Sequence, residues 1–261
     1  MKIIMELKWK DNNDCLQIFK AIAHTNTMVN IVFGPTGLSV MGMDSSKTTL
    51  IQLQLTSEYF QDYNCTDAFE IGVYTSTLVS ILCKAKKTEM KWKSSTSMAL
   101  TICFVNESTT EFTLCSIDIE EDRLNIPNVT HEVEMKFQPS VLIGILESMV
   151  MAKSDIILNV CPQTMKIITH SSDFGTIVHC EGLEQQEKID ATVRQSVSLS
   201  FGHNAIVLMV VFCKVSKNPC HLGLSAEMPL RLKLELGSGA FIALYIAPKI
   251  EDGDYIEEDD D

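Results

Sequence analysis

An α+β fold built from a repeated unit is predicted by three observations on this 261-residue chain. Most of its apolar residues alternate with polar ones, the period-two pattern of half-buried strands. A turn, an alternating strand and a Ser-Ser turn occur twice, about 126 residues apart, and internal duplication is the simplest cause. Segments related by that same interval give each sheet-rich half about two helices.

The first strand places Ile3, Met5, Leu7 and Trp9 on one face. The amphipathic stretch Asp14 to His24 follows as the first helix, with Asn13, Gln17, Lys20 and His24 outward. Pro35 to Ser46 supplies the turn, strand and Ser-Ser turn that Pro162 to Ser172 repeats. Ile51, Leu53 and Leu55 then alternate with Gln52, Gln54 and Thr56. Leu78 to Ala85 reads as the second helix, with Thr77, Ser80, Lys84 and Lys87 outward. Ile117 to Val129 is an acidic segment ending in an apolar cluster at Pro127, and reads as an extended interdomain connector. Its run Asp118 to Asp122, taken alone, is a solvated charge run. This organisation divides the chain into domains at 1–116 and 134–250, a connector at 117–133 and an acidic tail at 251–261.

In the second half, Ser140 to Val150 overlays the first helix and presents Gly144, Glu147, Ser148 and Met151 outward. Ile206 to Lys214 overlays the second helix. Residues Ala205 to Phe212 are so β-branched that local propensity alone predicts a strand there. Leu230, Leu232, Leu234 and Leu236 alternate with Arg231, Lys233 and Glu235. The last strand, from Phe241, meets Pro248, which cannot donate a ladder hydrogen bond and so ends or edges the sheet. Ile246 and Ile250 are then expected near the surface, where apolar residues beside a sheet edge suit a docking peptide.

A formal charge of -13 argues against phosphate binding at first sight. Eight of the acids lie between Glu251 and Asp261, and removing them brings the charge to -5. The nine cysteines form no Cys-x-x-Cys pair and read as buried free thiols of a reducing compartment. The amino terminus has no secretory pattern, so export is not expected. The longest apolar run, Ala205 to Cys213, is less than half of the roughly 20 residues a membrane span requires. No catalytic elbow, phosphate-cradling loop or zinc spacing occurs. The nearest approach to a catalytic cluster, His170-Ser171-Ser172-Asp173, is explained as the duplicated turn. A thiol enzyme remains the alternative among enzymes, distinguishable by one hyper-reactive cysteine.

Met43-Asp44-Ser45-Ser46 and Ala247-Pro248-Lys249-Ile250-Glu251-Asp252 resemble segments of the proliferating cell nuclear antigen (PCNA) family of DNA sliding clamps. The order of duplicated domain, acidic connector, second domain and acidic tail is similar over nearly the whole chain. The resemblance implies the DNA clamp (processivity) fold, two βαβββ-type domains per chain, and three chains forming a closed ring. It pairs Thr110 to Asp118 of one chain with Gly175 to Leu183 of the next. It implies a partner-peptide pocket at Met43, Lys47, Thr48, Leu50, Leu124, Ile126, Pro127, Pro229, Tyr245, Ile246, Ala247, Pro248 and Ile250. Lys47 stands where the family more often has histidine, which points to different preferred peptides.

In the family the helices line the central channel and face DNA, which here leaves Lys20, Lys84, Lys86, Lys87, Lys153, Lys214 and Lys217 as DNA-facing candidates. Encirclement is topological and needs only a channel that does not repel the duplex. The resemblance therefore implies a homotrimeric processivity factor without catalysis, metal or cofactor. It would encircle double-stranded DNA and bind DNA polymerase, ligase, nuclease and clamp loader through short peptide motifs, in a nucleus or a viral replication compartment, with no membrane contact. The scarcity of lysine keeps a second reading open: a non-replicative scaffold, either one subunit of a heterotrimeric checkpoint-type clamp or an auxiliary clamp with weak DNA contact.

Overall fold

A computed structural model describes residues 3–85, 88–120, 126–127, 129–173, 175–183 and 189–249. The first half runs β1 (Met5–Lys8), α1 (Asn12–Thr25), β2 (Met28–Gly34), β3 (Gly37–Met43), β4 (Thr49–Thr56), β5 (Asp62–Cys65), β6 (Phe69–Tyr74), α2 (Thr75–Leu82), β7 (Glu89–Thr96), β8 (Ala99–Val105) and β9 (Thr109–Cys115). The second half repeats that order as β10 (Val133–Phe137), α3 (Pro139–Val150), β11 (Ile156–Val160), β12 (Thr164–Ser171), β13 (Gly175–Gly182), β14 (Ile189–Val193), β15 (Val197–Phe201), α4 (His203–Cys213), β16 (Cys220–Leu224), β17 (Leu230–Gly237) and β18 (Ala240–Ile246).

The strands form three sheets, ordered β5-β1-β7-β8-β9, β13-β12-β11-β15 and β14-β10-β16-β17-β18-β4-β3-β2-β6. The nine-stranded sheet joins the two halves where β18 pairs antiparallel with β4, Leu244 opposite Ile51. Its five second-half strands stand in the order of the five-stranded sheet, and its four first-half strands in the order of the four-stranded one. Strands β9 and β13 are therefore the counterparts of β18 and β4, yet each ends its own sheet. Of the two expectations at Pro248, the strand end holds and the sheet edge does not: the last strand stops at Ile246 and lies between β17 and β4.

Helix α1 forms because Asp11 caps it, its Oδ1 accepting from the Asn13 N–H at 2.7 Å, while Cys15, Ile18, Phe19 and Ile22 make a buried stripe at helical spacing. Asn26 closes the other end, donating its N–H to the Ile22 carbonyl. The β-branched segment near residue 207 is helix α4, as the duplication predicts and propensity does not. Ala205, Ile206, Met209, Val210, Phe212 and Cys213 are buried, and α4 packs on α3 and on α1. Tertiary burial of that size overrides propensity differences of a few tenths of a kcal/mol per residue. The outward residues Asn13, His24, Thr77, Ser80, Gly144, Glu147, Ser148 and Met151 are exposed as expected, whereas Gln17 and Lys20 are partly covered. Helix α2 starts earlier than expected and ends at Leu82, so Lys84 lies beyond it; Lys86 and Lys87 fall outside the described residues.

Aromatic packing is concentrated in the first half, where Trp9 meets Phe60 at 5.1 Å, Trp92 at 5.4 Å and Phe19 at 6.5 Å between ring centres. The cysteines are free, but the expectation that they are uniformly buried needs correction. Cys15, Cys65, Cys103, Cys213 and Cys220 are buried, whereas Cys83, Cys115 and Cys180 are exposed. Two of the exposed thiols, Cys115 and Cys180, sit on the strands β9 and β13 that end their sheets.

Candidate partner-peptide pocket and nucleic-acid face

Alternation along β17, β18, β4 and β3 turns one set of side chains away from the helices. Register aligns that set in a row: Arg231 opposite Tyr245, Tyr245 opposite Leu50, and Leu50 opposite Met43. The row crosses the β18–β4 joint and floors a cavity of about 470 Å³. Ile126, Pro127 and Val129 of the connector line it, together with Met228 and Pro229. Apolar walls with a few polar groups suit a short peptide carrying large hydrophobic anchors.

The loop between β3 and β4 is held by one carboxylate. Asp44 accepts from the Thr48 and Thr49 N–H groups, each at 2.8 Å, and from the Ser46 hydroxyl. Burial pushes the Asp44 carboxyl up, but the hydrogen bonds from Ser46, Thr49 and Thr48 outweigh it and hold the pKa below its ordinary value. This braced turn carries Lys47 at φ 57°, a left-handed conformation uncommon for a residue with a side chain. The Ala247 N–H donates to the Thr48 carbonyl at 2.8 Å, tying the loop to the segment after β18. Behind it, buried Asn26 donates to the Met43 carbonyl at 2.9 Å, and a Cβ at Gly42 would stand 2.8 Å from the Asn26 amide. Glycine at 42 lets the α1 cap approach the strand.

The connector is fastened at both described ends. Ile117 bridges Gly72 on β6, and Asn30 donates to the Ile119 carbonyl at 3.2 Å, covering that edge of the nine-stranded sheet. At the far end His131 is buried against Gly223, where a Cβ would meet its ring at 2.4 Å. Arg194 donates to the His131 carbonyl at 2.6 Å. Burial and the neighbouring Arg231 charge both hold the His131 imidazole below its ordinary pKa.

The cavity gathers Met43, Lys47, Thr48, Leu50, Ile126, Pro127, Pro229, Tyr245 and Ala247 of the sequence-derived set. Two residues of that set need correction. Ile246 is 3% exposed and turned toward the core by the alternation that turns Tyr245 outward. It and Pro248 line a neighbouring cleft with His24, Val207 and Leu208. Leu124 and Ile250 lie outside the described residues. Sequence reasoning missed Gln52, Val129, His131, Arg231, Lys233 and Phe241. The alternation of Leu230 to Leu236 already put Arg231 and Lys233 on one face, but only the β17–β18 register puts that face beside Tyr245.

On the helix side, Lys20 lies on α1, while Lys84, Lys153, Lys214 and Lys217 follow the carboxy-terminal ends of α2, α3 and α4. Cations there also answer the helix dipole. Lys214 is paired with Glu147 at 3.3 Å, which offsets its charge. A larger cleft of about 770 Å³ beside the start of α1 mixes Lys8, Lys10 and Lys20 with Asp11 and Glu89, and Glu89 holds Lys8 at 3.1 Å. Among the described residues no group of histidine, cysteine, aspartate or glutamate is arranged to hold a metal ion, and no helix is long and apolar enough to cross a membrane.

Residues 4–126 match the family model described as the amino-terminal domain of proliferating cell nuclear antigen. The proliferating cell nuclear antigen of Chaetomium thermophilum is 25% identical over 228 residues, covering 83% of this chain and 86% of the relative. The DNA polymerase sliding clamp of Methanothermobacter thermautotrophicus is 28% identical over 244 residues, covering 92% and 96%. The crystal structure of proliferating cellular nuclear antigen from Entamoeba histolytica superposes with a TM-score of 0.86 over 95% of this chain and all of that one, at 17% identity. Duplicated sheets, the braced loop and these likenesses agree in supporting a DNA sliding clamp of the proliferating cell nuclear antigen type.

Proposed function

We propose that three copies of this chain close into a ring around duplex DNA and hold DNA polymerase and other replication and repair enzymes, such as ligase or nuclease, on it. The observation that carries this reading is that β9 and β13 each leave one edge open among the described residues, whereas their counterparts β18 and β4 pair with each other within the chain. Joining them head to tail repeats a joint that the molecule already makes, and such a heterologous contact ends only when its rotation closes a ring. It also covers two strand edges that would otherwise invite aggregation.

The ring has no catalysis of its own in this reading. A partner anchored by a peptide in the Tyr245 pocket meets the primer end again before it diffuses away, because the ring cannot leave the duplex. DNA polymerase enters through the names of the relatives, and clamp loader through the need to open a closed ring. We place the domain boundaries at 1–116, 117–133, 134–250 and 251–261, and the site of action in a nucleus or a viral replication compartment. Lys20, Lys84, Lys86, Lys87, Lys153, Lys214 and Lys217 are the proposed DNA-facing residues.

Light scattering tests the assembly: a mass of three chains that persists on dilution is expected, and a persistent monomer would sink the homotrimer. Loader-dependent stimulation of polymerase on primed circular DNA then tests the replication role. The scarcity of lysine and arginine on the helices favours one second reading, an auxiliary or heterotrimeric clamp, which predicts no such stimulation by this chain alone.

A further inference from the structure

The family pocket is an apolar anchor site, but here one wall of it is cationic. The chain carries 34 acidic and 21 basic residues, yet Lys47, Arg231 and Lys233 line this cavity and, among the described residues, no aspartate or glutamate does. Arg231 stands directly beside Tyr245 in the floor row. Its Nε is buried and has no hydrogen-bond partner. Lys233 lies two residues further along the same strand, its Nζ 4.3 Å from the Phe241 ring centre. Neither makes an ion pair among the described residues. Carboxylates around it are engaged elsewhere: Glu235 on β17 itself with His221 at 3.4 Å, Glu134 on β10, two strands away, with Arg194 at 3.4 Å, and Glu132 with the Ala226 N–H at 3.1 Å.

A half-buried guanidinium with an orphan donor is unfavourable unless something completes its hydrogen bonds. Carboxylates do so bidentately, and a cation held against an aromatic ring is already positioned for one. Strands lie about 4.8 Å apart and one helical turn rises about 5.4 Å. An acidic side chain one turn from an anchor seated at Leu50 and Tyr245 therefore reaches Arg231. We propose that this wall is a second subsite of the pocket, selecting partner peptides that carry glutamate or aspartate one helical turn from their hydrophobic anchors. The proposal rests on the peptide-pocket reading above.

The test uses the full chain and fluorescent synthetic peptides with one turn of hydrophobic and aromatic anchors. Two carry a Glu-Glu pair, placed before or after the anchors, and their twins carry Gln-Gln. At about 0.05 M salt one acidic peptide is expected to bind roughly tenfold tighter than its twin, with the gain shrinking at about 0.5 M. Arg231→Gln and Lys233→Gln should each shrink the acidic peptide's advantage over its neutral twin; agreement between two independent variants guards against misfolding of either. Equal binding of acidic and neutral peptides, both lost in Tyr245→Ala, would leave the pocket standing and refute the charged subsite. No binding of any peptide, with Tyr245→Ala indifferent, would remove the pocket reading and this proposal with it. A preference that arises only after residues 251–261 are deleted would assign the wall to the chain's own acidic end, against the proposal.

Discussion

The β18–β4 joint and the open strands β9 and β13 are the same piece of architecture used in two ways, and their outer faces differ sharply. Across the joint the outward row reads Arg231, Tyr245, Leu50, Met43. The duplicated positions on the open side are Thr101 and Thr113 on one edge, and Thr176 and His170 on the other. Those four satisfy one another locally: Thr101 and Thr113 share a hydrogen bond at 3.2 Å, and His170 and Thr176 one at 2.9 Å. Duplication kept the strand order and changed the outer surface. Pairing β9 with β13 would therefore make a structural seam but no second anchor pocket, so a ring would offer one pocket per chain.

The largest effect should come from truncating equivalent residues on the two sides. Leu244 on β18 corresponds to Phe112 on β9, since Leu244 faces Leu232 as Phe112 faces Ile102. Leu244 is 1% exposed and belongs to the core. Leu244→Ala should cost the folded chain about 2–5 kcal/mol, read as a lowered Tm. Phe112 is only partly buried, packed edge-on to Phe104 at 5.8 Å between ring centres. Phe112→Ala should lower Tm much less and instead shift the light-scattering mass toward the monomer. If both variants melt alike and assemble alike, β9 is an ordinary surface strand and the equivalence fails.

Register sharpens the same comparison. Ile51 faces Gly42 on β3, and its counterpart Ile177 faces Thr169 on β12. Placing Phe112 opposite Ile177, as Leu244 stands opposite Ile51, sets Thr109 of one chain opposite Cys180 of the next. Thr109→Cys, bridged to native Cys180 by a short bis-maleimide, should give a ladder on denaturing gels that stops at three chains. Thr113→Cys, four positions away and so roughly 13 Å along the strand, should link far less. Equal linking at both positions would mean a different register or a non-specific contact.

Much of this was legible in the sequence because two signals were strong. The repeat of Pro35 to Ser46 at Pro162 to Ser172 implied two sheet-rich halves with about two helices each, and it placed α4 correctly against the strand propensity of Val207, Val210 and Val211. Pairing was not legible. Nothing local distinguishes β18, held on both sides, from β9, held on one, because neighbour identity depends on contacts more than a hundred residues apart. The same gap explains the site. Leu50 and Tyr245, named through the resemblance, line the cavity, whereas Ile246, expected near the surface, is turned toward the core. The proximity of Pro248 suggested a sheet edge, but strand alternation decided the direction of the side chain.

The smallest expected effect is a pH response confined to the pocket side of the molecule. His131 fills the space over Gly223, facing Arg231 and Glu134, with Ser225 at 3.4 Å from its Nδ1. The counterpart of Gly223 in the first half is Lys93, which faces Thr101 as Gly223 faces Arg231, and it is paired with Glu111 at 2.6 Å instead. Because burial first, and Arg231 second, depress the His131 pKa, the unfolded chain takes up its proton at a higher pH than the folded one. Stability contributed by neutral His131 is therefore complete above about pH 6.5, the ordinary histidine value, and declines as pH falls below it. Asp44 acts in the same direction but lower: its depressed pKa preserves the loop until pH falls below the ordinary carboxylate range. A melting series from pH 7.5 to 5 should show a shallow decline that His131→Gln flattens and Asp44→Asn does not. A decline unchanged by His131→Gln would place the titrating group elsewhere, with His221, also depressed chiefly by burial, the next to test.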